Sequence, residues 1–282
     1  MGERHGSLAR MLDIFRFALA SIAALALFGG GPARADTTVD IELVLAVDVS
    51  LSMDMEEQRL QRDGYVAALR DPQIVSAIQS GPHGKIAVTY IEWAGPHSQS
   101  TVLPWTLIED RASAEDVAAR LAEAPISRQR MTSISGALAY SGRQFDANPF
   151  LGIRRVIDVS GDGPNNSGAP VQPIRQELIS SGIIINGLPI ILRPSQSSLF
   201  DISYLDRYYA DCVVGGTGSF MIPIRERSEF TTAIRQKLLL EISGYEPPAR
   251  VIPVQLKSEP SDTDCMIGEQ LWQRYMDDRI RN

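Results

Sequence analysis

Cysteine and histidine are the scarce residues of this 282-residue chain, present in two and three copies. Cys212 and Cys265 are too few for a disulfide framework, and no C-x-x-C occurs, which excludes a zinc knuckle and a dithiol redox motif. Of the histidines, His5 falls in the leader described below, His83 sits in a Gly-Pro-rich turn, and only His97 remains. That leaves little for imidazole catalysis. No G-x-S-x-G nucleophile elbow is present. Positive charge is also short: 27 Lys and Arg against 34 Asp and Glu give a net charge of −7, a poor match for nucleic acid or anionic lipid. No apolar run reaches the ~20 residues of a membrane-spanning helix.

What is present begins with a leader. Arg4, Arg10 and Arg16 make a basic start, Phe17 to Phe28 is a short apolar run, and Ala33-Arg34-Ala35 is a small-x-small cleavage signal before Asp36. This is the layout of a secretory signal peptide over 1–35, with an uncleaved N-terminal anchor as the alternative. It predicts an exported protein, periplasmic or secreted. Four arginines and two acidic residues leave with the leader, so the remaining 247 residues carry −9. They are enough for one large domain over 36–244, followed by a polar extension over 245–282 punctuated by Pro247, Pro248, Pro253 and Pro260. In an oxidising compartment an isolated cysteine pair is more often bridged than free, which predicts a Cys212–Cys265 disulfide tying the extension to the domain.

The chain is organised around Val39 to Met53, VDIELVLAVDVSLSM. Ile41 and Leu43 to Val47 form the apolar run expected of a strand buried on both faces of a parallel sheet. Asp48, Ser50 and Ser52 follow at alternate positions where the strand should become a loop. Ligands of open α/β sheets bind at that carboxyl end, and a carboxylate with two hydroxyls suits a hard cation such as Mg²⁺. The competing reading is that these residues only cap the helix starting near Met55.

Downstream, helical periodicity covers Met55–Leu69, a piece from Pro72 through Ile78, Ser113–Ala122 (with Ser113 and Asp116 as a capping-box-like start), Gly136–Phe145, Val171–Ser181, Leu199–Tyr209, Glu229–Ile242 and Glu269–Arg279. Strands are expected at Lys85–Trp93, Ser100–Leu107, Arg154–Ser160, Ile183–Ile191 and Ser219–Ile224, with Pro104 placing the second of these at an edge. Gly215-Gly216-Thr217-Gly218 precedes a strand, so it reads as a turn and not a phosphate loop. Asp158, a charge in a central strand, requires a partner such as a nearby Arg or Lys. The alternation predicts an α/β fold: a doubly wound, mostly parallel, Rossmann-like sheet with helices on both faces and one short edge strand.

An apolar strand ending D-x-S-x-S, Thr132 ahead of a G-A-L helix, and a strand ending S-G-D-G together resemble the von Willebrand factor A domain. The resemblance spans roughly Ile41 to Ile242. It implies a metal-ion-dependent adhesion site in which Asp48, Ser50, Ser52, Thr132 and Asp162 hold Mg²⁺ or Mn²⁺, waters complete the shell, and a partner supplies an acidic residue. Many members have a Gly-rich G-G-T turn where this chain reads Arg130-Met131-Thr132, which leaves Ser133 as a competitor for the threonine position. YADCVVGGTGSF and AIRQKLLLEISG further resemble an uncharacterised group of exported bacterial members, from which no activity follows.

An Asp ending the first strand also suits haloacid-dehalogenase-type phosphatases, but these need a second Asp two residues on, and here that residue is Ser50. Two-metal hydrolysis would need more carboxylates. A structural envelope role with no metal function is the third reading. Mass spectrometry of the processed protein is expected to find Asp36 at its N-terminus; an intact Met1 form recovered from the membrane fraction would reject the leader.

Overall fold

β1 (Thr37–Asp48) is the axis of the molecule, buried from Val39 to Asp48 and paired in parallel with β2 (Ile86–Trp93) on one side and β4 (Phe150–Gly161) on the other. This computed structural model describes residues 37–192, 202–244, 252–253 and 263–281. The leader, residues 193–201 at the start of the expected Leu199–Tyr209 helix, and Pro247, Pro248 and Pro260 lie outside them. The sheet order is β3-β2-β1-β4-β5-β6-β7. β5 (Ile183–Pro189) and β6 (Phe220–Met221) continue the parallel run, while β3 (Gln99–Ile108) and β7 (Ile252–Pro253) are antiparallel at the two edges.

Alternation along β1 feeds two cores. Ile41, Leu43, Leu45 and Val47 pack with α1 (Met55–Leu69), α2 (Pro72–Gln79), α3 (Arg111–Glu123) and α7 (Phe230–Ser243), through Tyr65, Ile74, Val117 and Phe230 among others. Val44 and Ala46 pack with α4 (Ile134–Asp146), α5 (Val171–Ser180) and the segment opening with α6 (Leu205–Tyr208). This is the doubly wound α/β architecture expected. The chain departs to opposite sides after β1 and at β4, so the switch point where α/β proteins bind ligands lies between those two strands.

Several boundaries differ from expectation, each for a local reason. β3 lies at the edge that Pro104 predicts and runs one residue further at each end than expected, ten residues in all, while the opposite edge, β7, is short. Pro104 is accommodated because the β2–β3 register slips there, Val88 facing Thr106 and Tyr90 facing Leu103, so the missing donor falls in a bulge. α3 begins earlier than Ser113: Asp110 is the N-cap, accepting from the Ser113 N–H at 2.8 Å, and Ser113 fills the third helical position. β6 stops at Met221, since Pro223 has no N–H for the ladder, although Ile224 still bridges to Ile190. α6 does not end at Tyr209 but widens into a π-turn, Tyr209–Val213, where the Val214 N–H reaches back to the Tyr209 carbonyl at 2.8 Å. α8 (Ile267–Arg281) is the C-terminal helix, and the Cys212–Cys265 disulfide joins the π-turn to the residues just before it, with Cα atoms 5.6 Å apart.

Asp158 has the basic partner its position requires. Lys237 of α7 lies 2.8 Å from Asp158 Oδ1 and also pairs with Glu241. Tyr65 donates to Asp158 Oδ2 at 3.3 Å and Asn186 to Glu241 Oε1 at 2.9 Å. Two carboxyl groups thus share one lysine in a site that water does not reach. Burial, with the Asp158 charge adding to it, pushes Glu241 up to about 7, while Lys237 and Asn186 pull back. Burial likewise raises Asp158 against the pull of Lys237 and Tyr65.

A carboxyl group that holds its proton more tightly when folded stabilises the native state below the unfolded value, and that contribution is lost as pH rises through the folded one. For Glu241 the window runs from 4.5 to about 7. Denaturant unfolding of wild type and Glu241→Gln across this window is expected to show a falling difference, on the order of 3 kcal/mol in total. Parallel pH profiles would show that the cluster does not titrate.

Candidate metal centre

β1 delivers Asp48 to the carboxyl edge of the sheet, fully buried, where the Ser50 N–H donates to its Oδ1 at 2.7 Å. That bond bends the chain so that the Ser50 and Ser52 hydroxyls meet at 2.8 Å, and Ser52 donates to Asp162 Oδ1 at 2.7 Å. Asp48, Ser50, Ser52 and Asp162 are therefore one connected group, although Asp162 is 110 residues from Ser52 in the chain. None of the first three caps α1. Asp54 does, accepting from the Glu57 N–H at 2.8 Å while Glu57 returns a bond to the Asp54 N–H.

The loop carrying Thr132 is bound to both of the others. The Gln129 N–H donates to the Val49 carbonyl at 3.0 Å, and Arg128 donates to the carbonyls of Leu51 and Met53 at 3.2 and 2.8 Å. On its far side Asn166 grips Thr132 twice, its Oδ1 accepting from the Thr132 N–H at 2.9 Å and its N–H donating to the Thr132 carbonyl at 2.9 Å. Ser133, the competitor, is consumed by the helix: it N-caps α4, accepting from the Gly136 N–H at 3.2 Å. Met131 stands where a Gly-rich turn was expected, and it adopts the glycine conformation, φ 73°. Arg128, Asn165, Asn166 and Tyr209 were not singled out from the sequence. Their roles arise from contacts 30 residues or more along the chain, with no local pattern to mark them.

Electrostatically the centre is a buried carboxyl with unused capacity. Among the described residues Asp48 Oδ2 has no hydrogen-bond partner. Burial pushes the group up to about 7, against the opposing pull of the Ser50 N–H and hydroxyl and of the Asp162 main chain. Directly over it, Gly161 leaves room that a side chain would fill: a Cβ there would lie 2.9 Å from Asp48 Oδ2 and 2.8 Å from the Tyr209 hydroxyl. Tyr209, the first residue of the π-turn, is fully buried, and among the described residues its hydroxyl has no partner. Its phenol is held well above the ordinary range, by burial first and then by Asp48 and Asp162, so it stays a hydrogen-bond donor. Among the described residues no group of three or more His, Cys, Asp or Glu is placed to hold a metal. Any cation here would be held by two carboxylates and neutral hydroxyls, a donor set that suits hard, oxygen-seeking divalent ions.

The comparisons with known proteins agree with this architecture. A family model described as "Protein of unknown function (DUF1194)" matches residues 38–246. The chain belongs to the DUF1194 family. No curated protein matches it. Among solved structures, the DUF1194 chain is similar to proximal thread matrix protein 1 of the mussel byssus, described with a zinc-occupied MIDAS (metal-ion-dependent adhesion site) motif, at 15% identity and TM-score 0.54 over 74% of this chain and 49% of that one. It is similar to a von Willebrand factor type A protein from Catenulispora acidiphila at 17% identity and TM-score 0.52, over 74% and 44%. The pilus adhesin SpaC of Lactobacillus rhamnosus GG matches at 12% identity and TM-score 0.52, over 72% and 30%. At these identities the likeness establishes the fold, which is that of a von Willebrand factor A domain. The DUF1194 chain spans half or less of the length of each of these structures.

Gly161→Ala tests the close approach of Asp48 and Tyr209. Two atoms nearer than 3.0 Å to the new methyl group must move, and overpacking of this kind costs ~1–3 kcal/mol. Thermal or urea unfolding in EDTA is expected to show that loss; unchanged stability would mean the space is larger than described.

Proposed function

We propose that this protein is an exported, divalent-cation-dependent binding module, with Asp48, Ser50, Ser52, Thr132 and Asp162 as its metal ligands and Mg²⁺ or Mn²⁺ as its ion. The observation that carries the reading is Asp48: a fully buried carboxyl with one oxygen that no described residue partners, at the head of a connected set of hydroxyls and a second carboxylate. Burying an ionised carboxylate without compensation is costly, and a cation held by these oxygens would remove that cost.

Asp48 and Asp162 would supply the negative charge, and Ser50, Ser52 and Thr132 would contribute neutral oxygens. A Mg²⁺ or Mn²⁺ held there would be short of ligands on its open side, where an acidic residue of a partner could supply the missing oxygen. Asp48 works from the buried side, while Ser52 is exposed and Asp162 half-buried, so the open side faces solvent. We read the module as binding and not enzymatic, because so few carboxylates leave no room for a second ion and only two histidines lie beyond the leader. The resemblance to a thread matrix protein and a pilus adhesin favours the same class. No helix among the described residues is long and apolar enough to cross a membrane. The leader motif supports export to the periplasm or beyond.

Mg²⁺ or Mn²⁺ should raise the melting temperature by mass action. Ion at 100 times Kd adds about 2.7 kcal/mol, on the order of 5–10 °C for a domain of this size. Asp48→Ala is expected to abolish the rise, since only one carboxylate would remain. Thr132→Ala should reduce it less, because water can replace a neutral ligand, yet it should impair partner capture. Equal Mg²⁺ affinity of wild type and Asp48→Ala by calorimetry would overturn the adhesion-site reading.

A further inference from the structure

The C-terminal helix reaches the centre through a buried amide. Asn165 lies in the loop that follows β4, fully buried, and its side chain uses both ends. Its Oδ1 accepts from the Ser135 N–H at 3.1 Å and from the Ser135 hydroxyl at 3.3 Å, at the start of α4. Its Nδ2 donates to the Ala169 carbonyl at 3.1 Å and to Glu269 Oε1, in the first turn of α8, at 2.7 Å. The next residue, Asn166, makes the two-point grip on Thr132. Glu269, Asn165 and Asn166 thus form one line of contact from the far end of the chain to the Thr132 loop.

The packing is as close as the hydrogen bonds. A Cβ on Gly268 would lie 2.0 Å from the Asn165 carbonyl oxygen, so α8 can seat on this loop only with glycine at that position. From Gln273 onward nearly every residue of α8 is exposed, which leaves its first turns as the attachment. The disulfide closes the arrangement, since Cys265 stands two residues before α8 and Cys212 three residues after Tyr209, whose hydroxyl faces the space beside Asp48.

We propose that the segment Thr263–Arg281 is a brace for the metal centre, with Glu269 as a positioning residue that acts through Asn165 on the loop carrying Thr132. The inference rests on the metal reading above for its functional consequence, but not for its structural one. Removing a charged acceptor from a buried amide leaves its N–H short of a partner and weakens its hold on that position. Outer-layer partners of metal ligands commonly set affinity by 10-fold or more when removed.

The test compares wild type, Glu269→Gln and Glu269→Ala in the full chain with the disulfide intact. Three readouts are needed: unfolding in EDTA, NMR-detected amide exchange at Thr132 and Ser135, and Mg²⁺ titration by calorimetry. Glu269→Ala is expected to fold, to exchange faster at both amides, and to bind Mg²⁺ about 10-fold more weakly. Glu269→Gln, which retains an acceptor oxygen, should lie near wild type in all three. Unchanged exchange at Thr132 and Ser135 in Glu269→Ala would overturn the brace, and so would unchanged Mg²⁺ affinity where wild type binds the ion. Faster exchange in a protein whose wild type binds no Mg²⁺ or Mn²⁺ would uphold the brace and overturn the metal reading instead.

Discussion

The carboxyl edge of this sheet is arranged around one desolvated carboxyl group. Asp48 ends a strand that is covered on both faces, so its position is inherited from the core. No described basic group faces it: the Ser50 N–H donates to one oxygen, and burial raises its proton affinity against that pull. The surrounding choices follow from that constraint. Gly161 beside it carries no side chain, and a phenol that remains protonated, Tyr209, fills the space that results. On the opposite face of the sheet Lys237 answers the buried carboxyl groups of Asp158 and Glu241.

Around Asp48 the supporting groups are mostly neutral. Asn165 and Asn166 tie the β4 loop to the α4 loop, and the Ser50–Ser52 hydroxyl pair ties the β1 loop to Asp162. Amides and hydroxyls can orient a loop without adding charge, which matters where two carboxylates already stand close together. Arg128 is the exception, and its guanidinium is spent on the main-chain carbonyls of Leu51 and Met53. In a low-dielectric surround such a satisfied network specifies one geometry.

How much of this was legible in the chain depends on range. The β1 run and the D-x-S-x-S that follows are local patterns, and so the strand, its burial and the approach of Asp48 to Ser50 could be read directly. Two adjacent hydroxyls, Thr132 and Ser133, could not be separated until α4 showed that Ser133 is its cap. Met131 in a left-handed conformation is the reason that the Gly-rich signature is missing while the turn is kept. Asn165, Tyr209 and Glu269 carried no signal, because each acts across more than 29 residues of chain, through burial that only the assembled fold creates. The α3 start was misplaced for a smaller reason: Asp110 and Asp116 both flank Ser113, and only the observed bond to Asp110 decides between them.

The bridge between Cys212 and Cys265 has a mechanical meaning. It closes a 53-residue loop that contains β6, α7 and β7. Tension applied to the chain beyond Cys265 therefore passes through the covalent bond to Cys212 and does not travel through the loop. The strand pairing of β6 and the ion cluster under α7 are sheltered from load, whereas the π-turn and Tyr209 lie on the loaded path. Force on α8 would therefore enter beside Asp48, while β6 and α7 stay unloaded.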